Sequence, residues 1–237
     1  MYIDTCFTPI LYPQYHRPEG IAVIVDIFRA TATIIAAFEN GARSIRPVAT
    51  VREAEDYKAL GWPVGAERNC RRCDFADFGN SPVEIKPEMV KGKDLVFTTT
   101  NGTKAIHCAK TAARIITGGF VNLQAVADEC IRAQRDVVVV CAGWEDKINI
   151  EDTLFGGALV EQLLPNGFQP AGDAAIIALM LWQKAKEDLP GFIKRTEHYK
   201  RMIDNNVEKD IPYCLTFNSS KLVPEYSQEA NCLVINK

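Results

Sequence analysis

The stretch IAVIVDIFRATATIIAAFENG, residues 21–41, sets the fold class because it contains a strand, a turn and a helix in succession. Residues 21–28 form a nearly continuous apolar run, which is typical of a strand buried on both faces. The Ala- and Ile-rich residues that follow predict a helix, with Thr31 near its start and Gly41 at its end. This stretch is therefore a β-strand followed by an α-helix.

The same alternation continues along the chain. We predict further strands over 44–48, 94–100, 114–119 and 136–143. We predict the intervening helices over 51–60, 101–112, 122–134 and 148–164. Strands that alternate with helices of this length indicate an α/β fold, with a mostly parallel sheet covered by helices on both faces in three layers.

The pattern changes after about residue 170. Two helices are predicted over 173–189 and 191–204, and two strands over 213–217 and 232–236. No linker rich in Gly, Ser or Pro precedes them, so we expect a single domain over residues 1–237. Residues 171–237 would form a largely helical C-terminal extension that packs on the α/β body.

Two segments of the body share one plan. Residues 25–45 and 97–116 each contain an apolar strand, a tight turn with threonines and an Ala/Ile-rich helix. The likeness indicates two similar lobes, 1–90 and 91–170. An old duplication and common packing rules explain it equally well.

Composition excludes several classes of protein. The 237 residues are 47% apolar and 24% charged, which excludes a disordered chain. The net charge is −3, so the chain has no excess of basic residues that would favour binding to nucleic acid or to an anionic membrane. No apolar run approaches the roughly 18 residues of a membrane-spanning helix, and the N-terminus resembles no signal peptide. We therefore expect a cytoplasmic protein. A homodimer would be unsurprising.

Eight cysteines are scattered along the chain, and several lie in apolar segments. Without an export signal, free thiols are expected rather than disulfides. Cys70 and Cys73 form one CxxC pair in a segment that we expect to be a solvent-facing loop. A metal or redox use of the pair stays open, although no second pair follows at zinc-finger spacing.

Polar residues gather at the predicted carboxyl ends of the strands, where parallel α/β sheets bind ligands. The 98–103 turn, TTTNGT, suits a phosphate, since Gly102 permits close approach and the helix behind it offers free N–H groups. An ordinary threonine-rich helix cap is the alternative. Neither GxGxxG nor GxxxxGK[ST] occurs, which disfavours standard nucleotide binding. The residues at these ends are Asp26, Arg29, Glu67, Arg68, Asn80, Ser81, Thr99, Thr100, Asn101, Gly102, Thr103, Cys141, Gly143, Glu151 and Asp152.

Asp26 lies in a buried strand, so its carboxylate needs a cation, a metal or hydrogen-bond donors. Two interpretations stay open: a structural pair with Arg29, or a Mg²⁺ ligand beside an anion-binding Arg29. Cys141 is either a nucleophile or, as we favour, a small buried thiol lining the pocket. We assign no role to His107 or His198.

Six segments in this order resemble the 2-phosphosulfolactate phosphatase (ComB) family of coenzyme M biosynthesis. They spread over residues 20–165, and the tail after 170 resembles the family only loosely. One departure is the segment 69–77, NCRRCDFAD, where the family usually carries glycines. The matching segments are VDIFRATATI (25–34), VGAER (64–68), FGNSP (78–82), TTTNGT (98–103), VVCAGW (139–144) and IEDTLFGGALV (150–160).

The resemblance implies a Mg²⁺-dependent phosphatase that hydrolyses (2R)-2-phospho-3-sulfolactate. Mg²⁺ would be held by Asp26 and by Glu67 or Asp152. Water activated by Glu151 or Asp152, or Asp26 itself, would attack phosphorus. The alternatives are a phosphatase for another 2-phospho-hydroxyacid and a non-catalytic binder of an anionic metabolite.

The substrate would be held by two groups of residues. Arg29 and the 99–103 turn would bind the phosphoryl group, with Cys141 and Gly143 beside them. Arg68, Asn80 and Ser81 would bind the carboxylate or sulfonate.

Overall fold

A single sheet runs through residues 1–236, the part of the chain that the computed structural model describes. In chain order the strands of these residues are β1 (Tyr2–Cys6), β2 (Ile21–Val25), β3 (Ser44–Pro47), β4 (Val64–Arg68), β5 (Arg71–Arg72), β6 (Asp94–Thr98), β7 (Arg114–Gly118), β8 (Val137–Cys141), β9 (Gln169–Pro170), β10 (Pro224–Ser227) and β11 (Cys232–Ile235). Across the sheet their order is β5-β4-β6-β3-β11-β10-β7-β2-β8-β1-β9.

Helices connect most of the strands. The helix over residues 51–59 begins with a reciprocal cap, in which the Thr50 hydroxyl accepts the Glu53 N–H and the Glu53 carboxylate accepts the Thr50 N–H. The α-helices described are α1 (Tyr12–Tyr15), α2 (Ala30–Glu39), α3 (Val51–Ala59), α4 (Pro87–Val90), α5 (Gly102–Cys108), α6 (Leu123–Ala133), α7 (Ile150–Leu163), α8 (Asp173–Ala185), α9 (Leu189–Ile193), α10 (Glu197–Asp204) and α11 (Ile211–Cys214).

Alternate residues of β2 face opposite sides of the sheet, as a strand requires. Val23 belongs to a core that includes Phe155 of α7, whereas Ile24 belongs to a second core that includes Ile34 of α2 and Ile106 of α5. Helices therefore cover both faces, and the predicted three-layer α/β fold is confirmed.

The sheet consists of two parallel groups joined by an antiparallel hairpin. Strands β7, β2, β8 and β1 pair in parallel, and so do β4, β6 and β3. The β10–β11 hairpin lies between the groups, with β10 antiparallel to β7 and β11 antiparallel to β3. The C-terminal extension thus completes the sheet as well as covering it.

The strand groups do not follow the expected division at residue 90. Strand β6 pairs with β3 and β4, whereas β2 pairs with β7 and β8. The sub-lobes 1–90 and 91–170 are therefore not separate groups of strands. The assignment of one domain over 1–237 stays a prediction.

Sequence patterns failed in the C-terminal extension and at the N-terminus. The strand predicted over 213–217 is wrong, because residues 211–214 are helical, with Pro212 in the first turn where its fixed φ suits a helix. The single helix predicted over 191–204 is interrupted at Thr196, whose hydroxyl caps α10. Strand β1 was not predicted.

The eight cysteines are free thiols, five of them buried, as expected. Within residues 1–236 no helix combines the length and the apolar character that crossing a membrane requires.

Candidate active site

A cavity of about 280 Å³, counting the part open to solvent, lies beyond the ends of β2, β4, β6 and β8. The loops after these strands supply most of its wall, and α10 of the C-terminal extension supplies the rest. Ligands bind at this edge of parallel α/β sheets. The residues lining the cavity are Asp26, Phe28, Arg29, Glu67, Cys70, Asn80, Thr100, Asn101, Trp144 and His198.

The Asp26 carboxylate is positioned by the start of α2. Thr31 accepts a hydrogen bond from the Asp26 N–H and donates one to its carbonyl oxygen, while the Ala30 N–H lies 3.5 Å from Oδ1. The pKa of Asp26 is raised to about 6, and burial of the carboxyl group is the largest cause. The charge of His198 lowers this pKa, whereas the charges of Glu67 and Glu151 raise it. A cation in the cavity would favour the ionised carboxylate.

Glu67, the second cavity carboxylate, is held by the hairpin between β4 and β5. Its Oε1 accepts the Cys70 N–H at 2.5 Å, and the Thr100 hydroxyl lies 3.4 Å from the same oxygen. Asn80 faces the same cavity, and its buried Oδ1 has no hydrogen-bond partner among the described residues. An unpaired buried acceptor is costly, so this oxygen suits a ligand.

The donor set fits Mg²⁺. Within residues 1–236 no group of three or more His, Cys, Asp or Glu side chains has an arrangement that would hold a metal ion. Mg²⁺, however, is commonly bound through one or two carboxylates together with water and substrate phosphate. Asp26, Glu67 and the free Asn80 oxygen supply that kind of site.

Arg29 does not pair with Asp26, which corrects one of the two sequence interpretations. Its Nη1 donates to Oδ2 of Asp210 at 2.5 Å, and its Nη2 donates to the Cys70 carbonyl at 3.1 Å. Ser81 donates to the other oxygen of Asp210 at 2.6 Å. Asp210, from the C-terminal extension, thus fixes Arg29 at the cavity wall and turns Ser81 away from it.

His198 was given no role, yet it lines the cavity. Its Nδ1 lies 2.5 Å from Oε1 of Glu151, and its ring packs edge-on against Phe28. Burial alone lowers the pKa of His198, but the charge of Glu151 and hydrogen bonds to Cys70 and Glu151 raise it to about 10. The ring is therefore cationic at neutral pH, with Glu151 as its counter-ion.

A sequence signal for His198 exists. Met202 is an apolar residue four positions later, a spacing that places it on the same face of a helix as His198. Both residues are buried, so this face is the inner face of α10. Trp144, Cys70 and Asp210 were missed as well, since their positions depend on how loops and the extension pack. The segment around Cys70 and Cys73 is a largely exposed hairpin, as expected, but Cys70 itself is half-buried and lines the cavity.

Asp152 does not line the cavity, contrary to its predicted metal and catalytic roles. Its Oδ1 accepts the Ile27 N–H at 2.9 Å and its Oδ2 accepts the Gly143 N–H at 3.1 Å. Burial, followed by the charges of Glu151 and Asp26, raises the pKa of Asp152 well above its usual value. The carboxyl group thus ties the loop after β8 to the loop after β2.

The 99–103 turn is divided between cavity and core. Thr100 and Asn101 line the cavity, whereas Thr99 and Thr103 are buried, with the Thr103 hydroxyl donating to the Thr99 carbonyl. A Cβ atom on Gly102 would lie 3.0 Å from Oδ2 of Asp26 and 2.7 Å from the Ala30 Cβ. Helices α2 and α5 therefore begin side by side.

Three further predicted binding residues lie outside the cavity wall. Arg68 donates to the Glu67 carbonyl and to the Thr98 hydroxyl. Cys141 is fully buried, and burial raises the pKa of its thiol well above the usual value, which argues against a nucleophile. Gly143 has a φ of +64°, and its N–H binds Asp152. They support the site without facing it.

Comparison with known proteins gives one consistent match. A family model described as 2-phosphosulpholactate phosphatase matches residues 6–229. A protein of Clostridium acetobutylicum named probable 2-phosphosulfolactate phosphatase is 38% identical over 210 residues, covering 87% of this chain and 89% of its own. A protein of the same name from Thermotoga petrophila is 37% identical over 203 residues, covering 86% and 87%. This chain belongs to the 2-phosphosulpholactate phosphatase family.

Proposed function

We propose that this chain is a Mg²⁺-dependent phosphatase that hydrolyses (2R)-2-phospho-3-sulfolactate to (2R)-3-sulfolactate and phosphate. The observation that carries the proposal is one cavity in which the carboxylates of Asp26 and Glu67 face the cationic His198. The substrate has roughly four negative charges near neutral pH, so it needs both a metal ion and protein cations. The family match supports this substrate.

Asp26, Glu67 and the Asn80 oxygen would hold Mg²⁺. When bound, Mg²⁺ supplies Lewis-acid polarisation of a phosphoryl oxygen and neutralises its charge. Thr100 and Asn101 orient the phosphoryl group from the cavity wall, and His198 presents a positive charge to it.

Asp26 is the carboxylate that we assign to the phosphoryl step. Glu151 is bound to His198, and both oxygens of Asp152 accept backbone N–H groups. The Asp26 carboxylate accepts the Ala30 N–H through Oδ1. Asp26 would either attack phosphorus itself, displacing the sulfolactate alkoxide to give an aspartyl phosphate that water then hydrolyses, or accept a proton from a water that displaces the same alkoxide.

The test is phosphate release from phosphosulfolactate with and without Mg²⁺. We expect turnover that EDTA removes and that exceeds turnover of 2-phospholactate and phosphoglycerate. Binding without phosphate release would indicate a non-catalytic binder, and a preference for another 2-phospho-hydroxyacid would replace the substrate.

A thermal shift gives a readout that is independent of activity. Mg²⁺ at 100 times its Kd should stabilise the wild type by about 2.7 kcal/mol, because it binds only the folded chain. Glu67→Gln should lose most of this shift, whereas Glu55→Gln, an exposed change on α3, should keep it. Equal shifts in the three proteins would contradict the assigned ligands.

A further inference from the structure

Helix α8 has two faces of different character. Its inner face packs on α7 so closely that a Cβ atom on Gly157 would lie 2.0 Å from the Ala178 carbonyl oxygen. Its outer face presents three large apolar side chains to solvent, with exposed fractions of 44% for Ile176, 53% for Ile177 and 64% for Met180. The outer face of a surface helix normally carries polar residues, and a contiguous apolar patch on it marks an interaction surface.

The apolar patch on α8 has polar residues at both ends. Asp173 lies one turn before Ile176, whereas Gln183 and Lys184 lie one turn after Met180, and all of these side chains are exposed. Residues 173, 176, 180 and 183 are separated by three, four and three positions, the spacing at which one helix meets another along a seam. The stripe is therefore acidic at its start, apolar at its centre and basic at its end.

This stripe is complementary to an antiparallel copy of itself. When two copies of α8 cross beside residue 178, Ile176 of each copy lies beside Met180 of the other. Asp173 of each copy then lies beside Gln183 of the other, with Lys184 one position further along. A parallel arrangement would instead place Asp173 against Asp173 and Lys184 against Lys184, and like charges repel. The charge pattern therefore selects the antiparallel arrangement.

The neighbouring edge of the sheet is poorly suited to contact between copies. Strand β9 is the terminal strand at this end of the sheet, and it consists of Gln169 and Pro170 alone. Proline has no N–H to donate, and a short edge strand that contains proline resists pairing with another chain. Helix α8 follows β9 directly. At this end of the molecule, the helix is thus the element that a second copy can contact.

We propose that α8 is the interface of a homodimer, in which the outer faces of two copies pair antiparallel around a two-fold axis. Each contact then occurs twice, as in any interface of this symmetry. The seam from Asp173 to Lys184 is about 16 Å long. A single helix pair of this length makes a small interface, so we expect a Kd of about 10 μM. The proposal is independent of the proposed function, because none of the stripe residues lines the active-site cavity.

Sedimentation equilibrium of the full chain, from about 1 μM to about 200 μM, should show a reversible monomer–dimer equilibrium. Met180→Lys places a charge in the apolar centre twice per dimer, so we expect Kd to rise about 100-fold. The matched control is Leu60→Lys, which changes a 75% exposed leucine at the end of α3 and should leave Kd unchanged. Circular dichroism checks that both variants are folded. A wild type that stays monomeric, or a Kd for Met180→Lys within twofold of the control, would overturn the proposal.

Charge reversal tests the antiparallel register. Lys184→Glu brings two acidic groups together at each end of the seam, and we expect Kd to rise about 10-fold. Asp173→Lys combined with Lys184→Glu restores opposite charges, so Kd should return to within about threefold of wild type. Urea unfolding of the double variant shows whether α8 tolerates a basic residue in its first turn. A folded double variant that dimerises no better than Lys184→Glu would reject the antiparallel pairing, and assembly beyond a dimer would reject the two-fold symmetry.

Discussion

The parallel-sheet body and the C-terminal extension contribute different ionisable groups to the cavity. The body supplies Asp26 and Glu67 at strand ends, whereas the extension supplies the cationic His198. The extension also supplies Asp210, which fixes Arg29. The carboxylates of the cavity therefore lie at the strand ends, whereas the position of its histidine depends on how later helices dock.

Among substitutions in the parallel-sheet body, we expect Asp26→Asn to have the largest effect on activity. It removes the negative charge from the proposed metal ligand and ends either catalytic role, so kcat/KM should fall about 1,000-fold or more. Phosphate release measures the effect. Near-normal turnover would exclude both roles of Asp26 and leave the acidic end of the cavity without a function.

In the C-terminal extension, the corresponding substitution is His198→Gln. We expect kcat/KM to fall about 100-fold in this variant, because a charge-assisted contact to the substrate is lost. Glu151 would then be a buried carboxylate without its counter-ion, which also destabilises the fold. His198→Gln combined with Glu151→Gln removes that charge and serves as the control. A double variant with wild-type activity would show that His198 is structural.

A smaller effect is expected for Asp210→Asn. The amide retains hydrogen bonding to Arg29 and Ser81 but not the charge, so Arg29 should be less firmly held and kcat/KM should fall about 10-fold. Asp204→Asn, on the exposed end of α10, is the matched control. A loss equal to that of His198→Gln would mean that the extension acts chiefly through Arg29.

The smallest effect concerns stability against pH. His198 faces Glu151, Cys70, Arg201 and Asp26, and its folded pKa of about 10 lies above the unfolded value of about 6.5. Its stabilising contribution is therefore full below pH 6.5 and is lost as pH rises towards 10. Between pH 7 and 10, wild type should lose a few kcal/mol of unfolding free energy relative to the His198→Gln/Glu151→Gln variant. Urea titrations at both pH values measure this, and parallel losses would contradict the assigned ion pair.

Much of the body could be predicted from sequence, because apolar runs such as 21–28 permit few alternatives to a buried strand. The same reasoning brought Asp26, Glu67 and Asn101 together, since parallel strands end at one edge of the sheet. It could not orient Asp152, whose direction depends on two backbone N–H groups from separate loops. It also could not find Asp210 or Trp144, whose places depend on long-range packing rather than on local pattern.

The β10–β11 hairpin makes completion of the sheet depend on the two strands that are synthesised after all the others. Leu233 pairs with Ile45 and Glu225 pairs with Ile116, so within the described sheet the two parallel groups are hydrogen-bonded to each other through strands that leave the ribosome late. Until then, β3 and β7 each have an unpaired edge, which is open to wrong partners in a nascent chain. In a nascent chain Asp26 and Glu67 would therefore lie at the ends of strands from two unjoined groups, and the acidic edge of the cavity would form with the complete sheet, when translation reached β10 and β11.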